Sequence, residues 1–275
     1  MIKFKQLENT ALKLGITDRT GGVSQGVYGG MNTNFYIAEQ FEKACEDIKI
    51  AIDQLGLTGK IIIATRQTHS SNILYIDDHT DFKAFQAFDV SKTALRGYEL
   101  YSVLDTDGLM TARTDLILMT FYADCVPLFL YDKQNHAVSI VHSGWRGTSN
   151  KIGARAIQMM KSRFGTKSDH LVAGIGQSAG QCCYEVDEPV RQRFLQTFKT
   201  SQVDDFMTFK GGDKYMIDLK MANKLIFIEN HIAQEAVEIV AECTICQHER
   251  FHSHRHAAGG KRGSMSQICQ LMPLK

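Results

Sequence analysis

Long apolar runs and an excess of one charge are both missing from this chain. No stretch approaches the ~18 consecutive apolar residues of a membrane-spanning helix, and residues Met1 to Asn9 hold no apolar signal core. Lys and Arg number 31 against 30 Asp and Glu, a formal net charge of +1. That balance gives no electrostatic case for nucleic acid or a membrane surface as a partner. Seven cysteines are an odd number for a disulfide framework, and at 275 residues the chain is not small. Free thiols in a cytoplasmic protein, with one available to a metal, are therefore the expectation. No low-complexity segment or internal repeat marks a domain boundary, so the length allows one large domain or two small ones. What is present is the profile of a soluble globular protein with a sizeable core, 44% hydrophobic and 22% charged.

Other absences narrow the chemistry. The glycine-rich stretch from Gly174 to Val186 is not a dinucleotide fingerprint, because its third glycine falls one residue late at Gly180, and it lacks a Walker lysine. No H-x-E motif occurs, and Cys243 is preceded by Glu242 rather than proline, which excludes the zinc nucleoside deaminases. Ten scattered histidines are too few for the paired clusters of a copper laccase proper.

Three residues then stand out: His69 in Arg66-Gln67-Thr68-His69, Cys125 in Ala123-Asp124-Cys125-Val126-Pro127, and His142 in Val141-His142-Ser143-Gly144-Trp145-Arg146-Gly147. Two imidazoles and a thiolate are the ligand set of a catalytic zinc with one position left open. Read singly, each has a plainer role: an ordinary structural or exposed histidine, or a buried cysteine. The pattern of elements decides whether they meet. Ile61 to Thr65 reads as a buried strand with His69 just beyond its end. Leu116 to Phe121 and Val126 to Tyr131 read as strands flanking Asp124-Cys125, and Ala137 to Val141 as another ending at His142. Asp132 to Asn135 supplies a turn, so a hairpin places Cys125 and His142 at the same end of neighbouring strands. Cys125 suits either zinc ligation or nucleophilic attack with a histidine as base. Arg146 offers a planar fork for phosphate or carboxylate, and Gly147 to Asn150 lead into a helix whose N-terminus favours anions.

Helices are expected from about Ala38 to Leu55, stopped by Gly56; from a cap at Ser149 or Asn150 to Phe164, closed by Gly165; after Asp187 with Pro189; and after Asp218 to about Ile228. His170 to Ile175 is a further strand. The five glycines between Thr17 and Asn32 form turns or let backbone approach a ligand. Cys182 and Cys183 read as packing residues. Cys243-Thr244-Ile245-Cys246 has redox or zinc-ribbon spacing but no second such pair in the sequence. The nearby His248, His252, His254 and His256 offer a second metal site as the rival to a strand followed by a polar loop. Hairpins mixed with inserted helices predict an α+β protein with mixed sheets and helices outside.

Together these segments resemble the laccase-domain family, also described as multicopper polyphenol oxidases and peptidoglycan-editing factors, and associated with purine nucleoside phosphorylase activity. Thr17 to Ser24 is similar to its T-R-x-G-G-V-S opening, Gln67-Thr68-His69 to its Q-x-H element, and Asp107 to Thr111 to its D-A-L-V-T strand. Ala123 to Pro127 and His142 to Gly147 match A-D-C-V-P and H-A-G-W-R-G, and Gly176 to Val186 resembles G-P-x-I-G-P-C-C-Y-E-V. The sequence departs from the pattern at Gln177 and Gln181, which replace prolines, at Ser70, and at Phe251 to His256, where F-F-S-Y-R-R is usual.

The resemblance implies one domain over residues 1–275, a four-layer arrangement of mixed β-sheets between helices related to cysteine hydrolases, and one zinc per chain on His69, Cys125 and His142, with copper less favoured. It implies phosphorolysis of adenosine, inosine, guanosine and S-methyl-5'-thioadenosine, with adenosine deamination as a further activity. Nucleoside and phosphate are then the partners. Zinc would act as a Lewis acid or as a generator of hydroxide at neutral pH. Arg19, Arg146 and Arg255 would hold phosphate or substrate oxygens, and Asp124 would orient a ligating histidine or carry a proton. The rival readings are a cysteine hydrolase editing peptidoglycan precursors, with Cys125 as nucleophile and His142 or His69 as base, and a copper polyphenol oxidase.

Overall fold

Six strands of the computed structural model, which describes residues 1–274, are buried at every position: Gly108–Thr111, Leu116–Tyr122, Val126–Asp132, Ala137–Ser143, Leu171–Ile175 and Met265–Leu271. Strands covered on both faces need apolar residues on both, and so their sequences read as continuous rather than alternating runs. They belong to two six-stranded mixed sheets. The first has the order Leu12–Ile16, Met265–Leu271, Leu116–Tyr122, Ile61–Arg66, Glu99–Leu104, Gln86–Phe88. The second runs Val237–Ile239, Leu171–Ile175, Val126–Asp132, Ala137–Ser143, Gly108–Thr111, Ile73–Ile76. A third, three-stranded sheet of Glu185–Asp187, Lys214–Ile217 and Met207–Gly211 stands apart. Among the described residues no helix is long and apolar enough to cross a membrane.

Successive side chains of these strands enter different cores. Ile63, Leu116 and Leu118 of the first sheet meet Phe129, Tyr131, Val138 and Ile140 of the second. Ile62, Ala64, Ile117 and Met119 point the other way, onto Ala44, Ile48, Ala51 and Ile52 of the helix Phe41–Leu55. Leu128, Leu130 and Val141 pack on Ile152, Ala156 and Ile157 of the helix Ile152–Phe164 and on Ile226 and Phe227 of the helix Leu219–Glu229. The result is four layers, helix–sheet–sheet–helices. The period-two alternation of each strand divides its apolar residues between two cores.

The helix ends follow from capping chemistry. Gly56 closes the first helix in the left-handed region (φ 64°) and returns its N–H to Ile52 and Asp53 carbonyls. Asp187 and Asp218 accept the amide N–H groups of Val190 and Met221 at the starts of theirs. The expected cap at Ser149 or Asn150 is corrected. Trp145–Ser149 is a separate five-residue helix, Asn150 ends it, and Lys151 at φ 54° turns the chain into Ile152–Phe164. Of the five glycines in residues 17–32, Gly22 and Gly30 let two backbone segments come together. A Cβ on Gly22 would lie 2.1 Å from the Met31 Cα, and one on Gly30 2.2 Å from the Arg19 carbonyl oxygen.

Candidate metal and catalytic site

The three residues converge at the seam between the two large sheets. His69 follows the end of Ile61–Arg66 in the first sheet, and its backbone is left-handed (φ 61°). Leu116–Tyr122 lies parallel to that strand, and the chain then crosses to the second sheet through Ala123-Asp124-Cys125, with Asp124 also left-handed (φ 87°). In the hairpin beyond, Pro127 pairs with His142 and Val126 with Ser143, which sets Cys125 beside His142. The ligand atoms of His69, Cys125 and His142 all lie within 4.8 Å of one another. Cys125 Sγ is 3.8 Å from His69 Nε2. A zinc bonded to one sulfur and one imidazole nitrogen holds them about 3.6 Å apart, so the donor set and its spacing fit a metal.

Asp107 organises the trio. Its carboxylate is fully buried. Oδ1 accepts from His142 Nδ1–H at 2.7 Å and from the His69 amide at 3.2 Å. Oδ2 accepts from the Ser70 amide at 2.8 Å, the Ser70 hydroxyl at 2.7 Å and the Thr68 amide at 3.2 Å. A proton fixed on Nδ1 leaves Nε2 of His142 as the ligand atom. The same carboxylate pins the left-handed turn that presents His69. Burial pushes the Asp107 carboxyl up, but the His142 imidazole and the Ser70 donors more than offset it and hold it below the ordinary value. Gln67 completes the frame: its amide donates to the Phe121 carbonyl at 2.9 Å and accepts the Phe121 N–H at 2.7 Å, tying the His69 turn to the strand that leads into Cys125.

The electrostatics favour a thiolate. Burial raises the Cys125 thiol, yet the His142 and His69 imidazoles bring it down to about 6. Burial lowers His142, while Cys125 and Asp107 raise it to about 9. Gly144 leaves room for Cys125 and His69, since a Cβ there would sit 3.0 Å from both Cys125 Sγ and His69 Cδ2. A cavity of about 250 Å³ opens beside the trio, bordered by Tyr36, Arg66, Phe121, Tyr122, Arg262 and Ser264.

Residues 13–272 match the family model described as multi-copper polyphenol oxidoreductase laccase. The chain belongs to this laccase-like family. It is similar to purine nucleoside phosphorylase YlmD of Bacillus subtilis (strain 168), 28% identical over 94% of this chain and 87% of that one. It is also 28% identical to adenosine deaminase RL5 of an unknown prokaryotic organism, over 84% of this chain and 83% of that one. The crystal structure of YlmD from Geobacillus stearothermophilus superposes with a TM-score of 0.83 at 22% identity, covering 98% of this chain and 94% of that one, which shows a shared fold.

Other residues singled out in this laccase-like sequence lie apart from the trio. The Asp124 carboxylate does not reach a ligating histidine; it accepts the Thr244 hydroxyl at 2.6 Å and the Arg255 amide at 2.7 Å. The carboxylate on His142 is that of Asp107, which the sequence offered only as the start of an apolar strand. The clue was physical: an aspartate entering a buried run must find donors. Arg19 is taken up by the Gly29 and His248 carbonyls. Arg146 stacks on Trp145, and Arg255 lies over Tyr184 while donating to the Glu185 carbonyl. Both arginines, and Cys125, act on the Tyr184 phenol, which burial pushes up. The arginines that border the cavity are Arg66 and Arg262.

The cysteine expectation is also corrected. Cys182 and Cys183 are not packing residues: one is exposed, the other half-buried, and their sulfurs gather with those of Cys243 and Cys246. His252 is buried and bonds the Met31 carbonyl, while His248 and His256 stack on each other, and none joins that cluster.

Proposed function

We propose that this chain is a zinc-dependent purine nucleoside phosphorylase acting on adenosine, inosine, guanosine and S-methyl-5'-thioadenosine, with adenosine deamination as a further activity. The observation that carries the reading is an open three-donor site beside a cavity bordered by two arginines and aromatic surface. The names of the relatives support the same chemistry. Zinc held by His69, Cys125 and His142 supplies Lewis acidity and lowers the pKa of water.

The protein's own groups do the rest. Asp107 keeps the His142 proton on Nδ1 and fixes the His69 turn. Arg66 and Arg262 hold phosphate in the cavity, where their charge opposes that of the nucleophile. Tyr36 and Phe121 give a purine aromatic surface to stack on. A phosphate oxygen bonds to the anomeric carbon as the glycosidic carbon–nitrogen bond breaks; the electron pair leaves with the base, which takes up the proton brought by the hydrogen phosphate. Incubation with inosine tests this: phosphate-dependent release of hypoxanthine and ribose 1-phosphate is expected, with inosine appearing from adenosine in a parallel reaction. Absence of both products from metal-replete protein would overturn the reading.

A second reading has one specific support. Cys125, His142 and Asp107 stand in the order nucleophile, base and orienting carboxylate. A covalent adduct on Cys125 formed from an amide substrate by chelator-treated protein favours that hydrolase; loss of all turnover with the metal favours the phosphorylase.

A further inference from the structure

Four cysteine sulfurs meet about 60 positions apart in sequence on a surface the proposed reaction does not use. Cys182 and Cys183 lie in the loop that follows Leu171–Ile175, and Cys243 and Cys246 in the turn beyond Val237–Ile239. Two parallel strands launch the two segments side by side, and a bridge between Ser178 and Cys243 keeps them together, with Thr244 N–H donating to the Ser178 carbonyl at 3.0 Å. All four sulfurs lie within 4.8 Å of one another. Cys246 Sγ is 3.4 Å from Cys182 Sγ and 3.2 Å from Cys183 Sγ, and all seven cysteines of the chain are free.

We propose that Cys182, Cys183, Cys243 and Cys246 form a closed tetrathiolate zinc site with a structural role, separate from the His69–Cys125–His142 site. A tetrahedral zinc with sulfur ligands at about 2.3 Å sets its sulfurs about 3.8 Å apart, inside the spread observed here. Four protein ligands leave no position for substrate, which is the mark of a structural rather than a catalytic site. The surroundings suit bound thiolate. The Gly180 N–H points at Cys243 Sγ at 3.2 Å, and a Cβ on Gly180 would press within 3.3 Å of Cys182 Sγ, so glycine lets the backbone come this close. The buried Lys220 ammonium donates to the Val240, Ala241 and Glu242 carbonyls and so carries positive charge to the segment leading into Cys243. A disulfide accounts for the cluster less well. Cys246 faces two partners at nearly equal distance, and forming the bond needs an oxidant that neither the structure nor the proposed reaction supplies.

The clamp has a purpose that the geometry names. From the first segment, Ala179 N–H bonds the Asp124 carbonyl at 2.9 Å. From the second, Thr244 and Arg255 bond the Asp124 carboxylate. Asp124 precedes Cys125, so zinc on the four thiolates would hold both supports of the strained crossing from outside the reaction site.

Metal analysis of the full-length chain tests the proposal. Protein purified from zinc-supplemented cells without chelator should carry two zinc ions per chain by elemental analysis and native mass spectrometry. Cys246→Ser should carry one, and Cys125→Ser should also carry one. Cobalt loaded into Cys125→Ser should give the strong sulfur-to-cobalt charge-transfer absorption of a four-thiolate site, whereas cobalt in Cys246→Ser should give the weaker band of a single thiolate. The Cys125→Ser arm keeps the test alive if Cys246→Ser does not fold, and it separates failure here from failure of the catalytic-metal reading. Cys125→Ser without zinc, or a mass two hydrogens light per bond with no metal on the cluster, would overturn the proposal.

Discussion

Replacing Asp107 with asparagine changes one buried atom and should disable the trio. The native carboxylate accepts five hydrogen bonds, two at Oδ1 and three at Oδ2. Asparagine keeps only one acceptor oxygen. Placed toward Ser70, it turns its NH₂ toward the His69 amide and His142 Nδ1. The imidazole then relieves the donor–donor conflict by moving its proton to Nε2, the ligand atom. The His69 amide loses its acceptor in a part-buried position, which costs up to about 1–3 kcal/mol. Loss of an orienting partner lowers metal affinity by about 10–100-fold, and the wrong tautomer places the effect at the upper end. Competition titration against a fluorescent zinc chelator measures the affinity, on Cys246→Ser and Asp107→Asn/Cys246→Ser proteins so that only the trio is read. Long-range ¹H–¹⁵N spectra of the metal-free proteins, recorded above the His142 value of about 9 so that the ring is neutral, report the tautomer. Zinc affinity within about threefold of the parent, a loss far below the expected range, together with an Nδ1–H tautomer, would refute the reasoning.

Three further perturbations have defined outcomes. Gly144→Ala has ordinary backbone angles but places a methyl 3.0 Å from Cys125 Sγ and His69 Cδ2; zinc content at the trio and turnover should fall while the metal-free Tm moves by no more than about 2–4 °C. Lys220→Met should destabilise by at least about 1–3 kcal/mol in urea unfolding, because it removes the donor to three backbone carbonyls. His252 is buried as the neutral ring and pushed down to about 4, chiefly by burial, with Arg19 and Arg262 adding to the shift. Below the ordinary value of 6.5 the unfolded chain binds a proton that the folded one refuses, so stability falls as pH drops from there toward 4, by about 1.4 kcal/mol per pH unit for this one group. Unfolding free energies measured in chelator across that window should lose this slope in His252→Gln; an unchanged slope would assign the acid sensitivity elsewhere.

Local chemistry made much of this fold readable. The apolar runs Leu116–Tyr122, Val126–Asp132 and Ala137–Ser143 carry their own signal, and the Asp132–Asn135 turn sets the register that brings Cys125 to His142. The helix stop at Gly56 and the caps at Asp187 and Asp218 are equally local. The remainder depends on contacts between distant segments. Asp107 meets His69 and His142 across 38 and 35 residues, and no spacing rule reaches that far. Arg66 and Arg262 border one cavity only because the last strand of the first sheet returns beside the others. Cys-x-x-Cys spacing does not disclose the four-sulfur cluster, because the adjacent pair Cys182-Cys183 supplies its other half.

The position of Met265–Leu271 has a consequence for synthesis. It lies between Leu12–Ile16 and Leu116–Tyr122, pairing with both. During translation the early strand Leu12–Ile16 therefore emerges without its sheet neighbour and must wait until Met265–Leu271 has been made. The parallel pair Ile61–Arg66 and Leu116–Tyr122 can form sooner, but with one edge open until the closing strand arrives. Truncation before Met265 should therefore give a species that collapses around its hairpin yet aggregates along that edge, and a chaperone that shields β-edges would act on this protein until Met265–Leu271 has emerged.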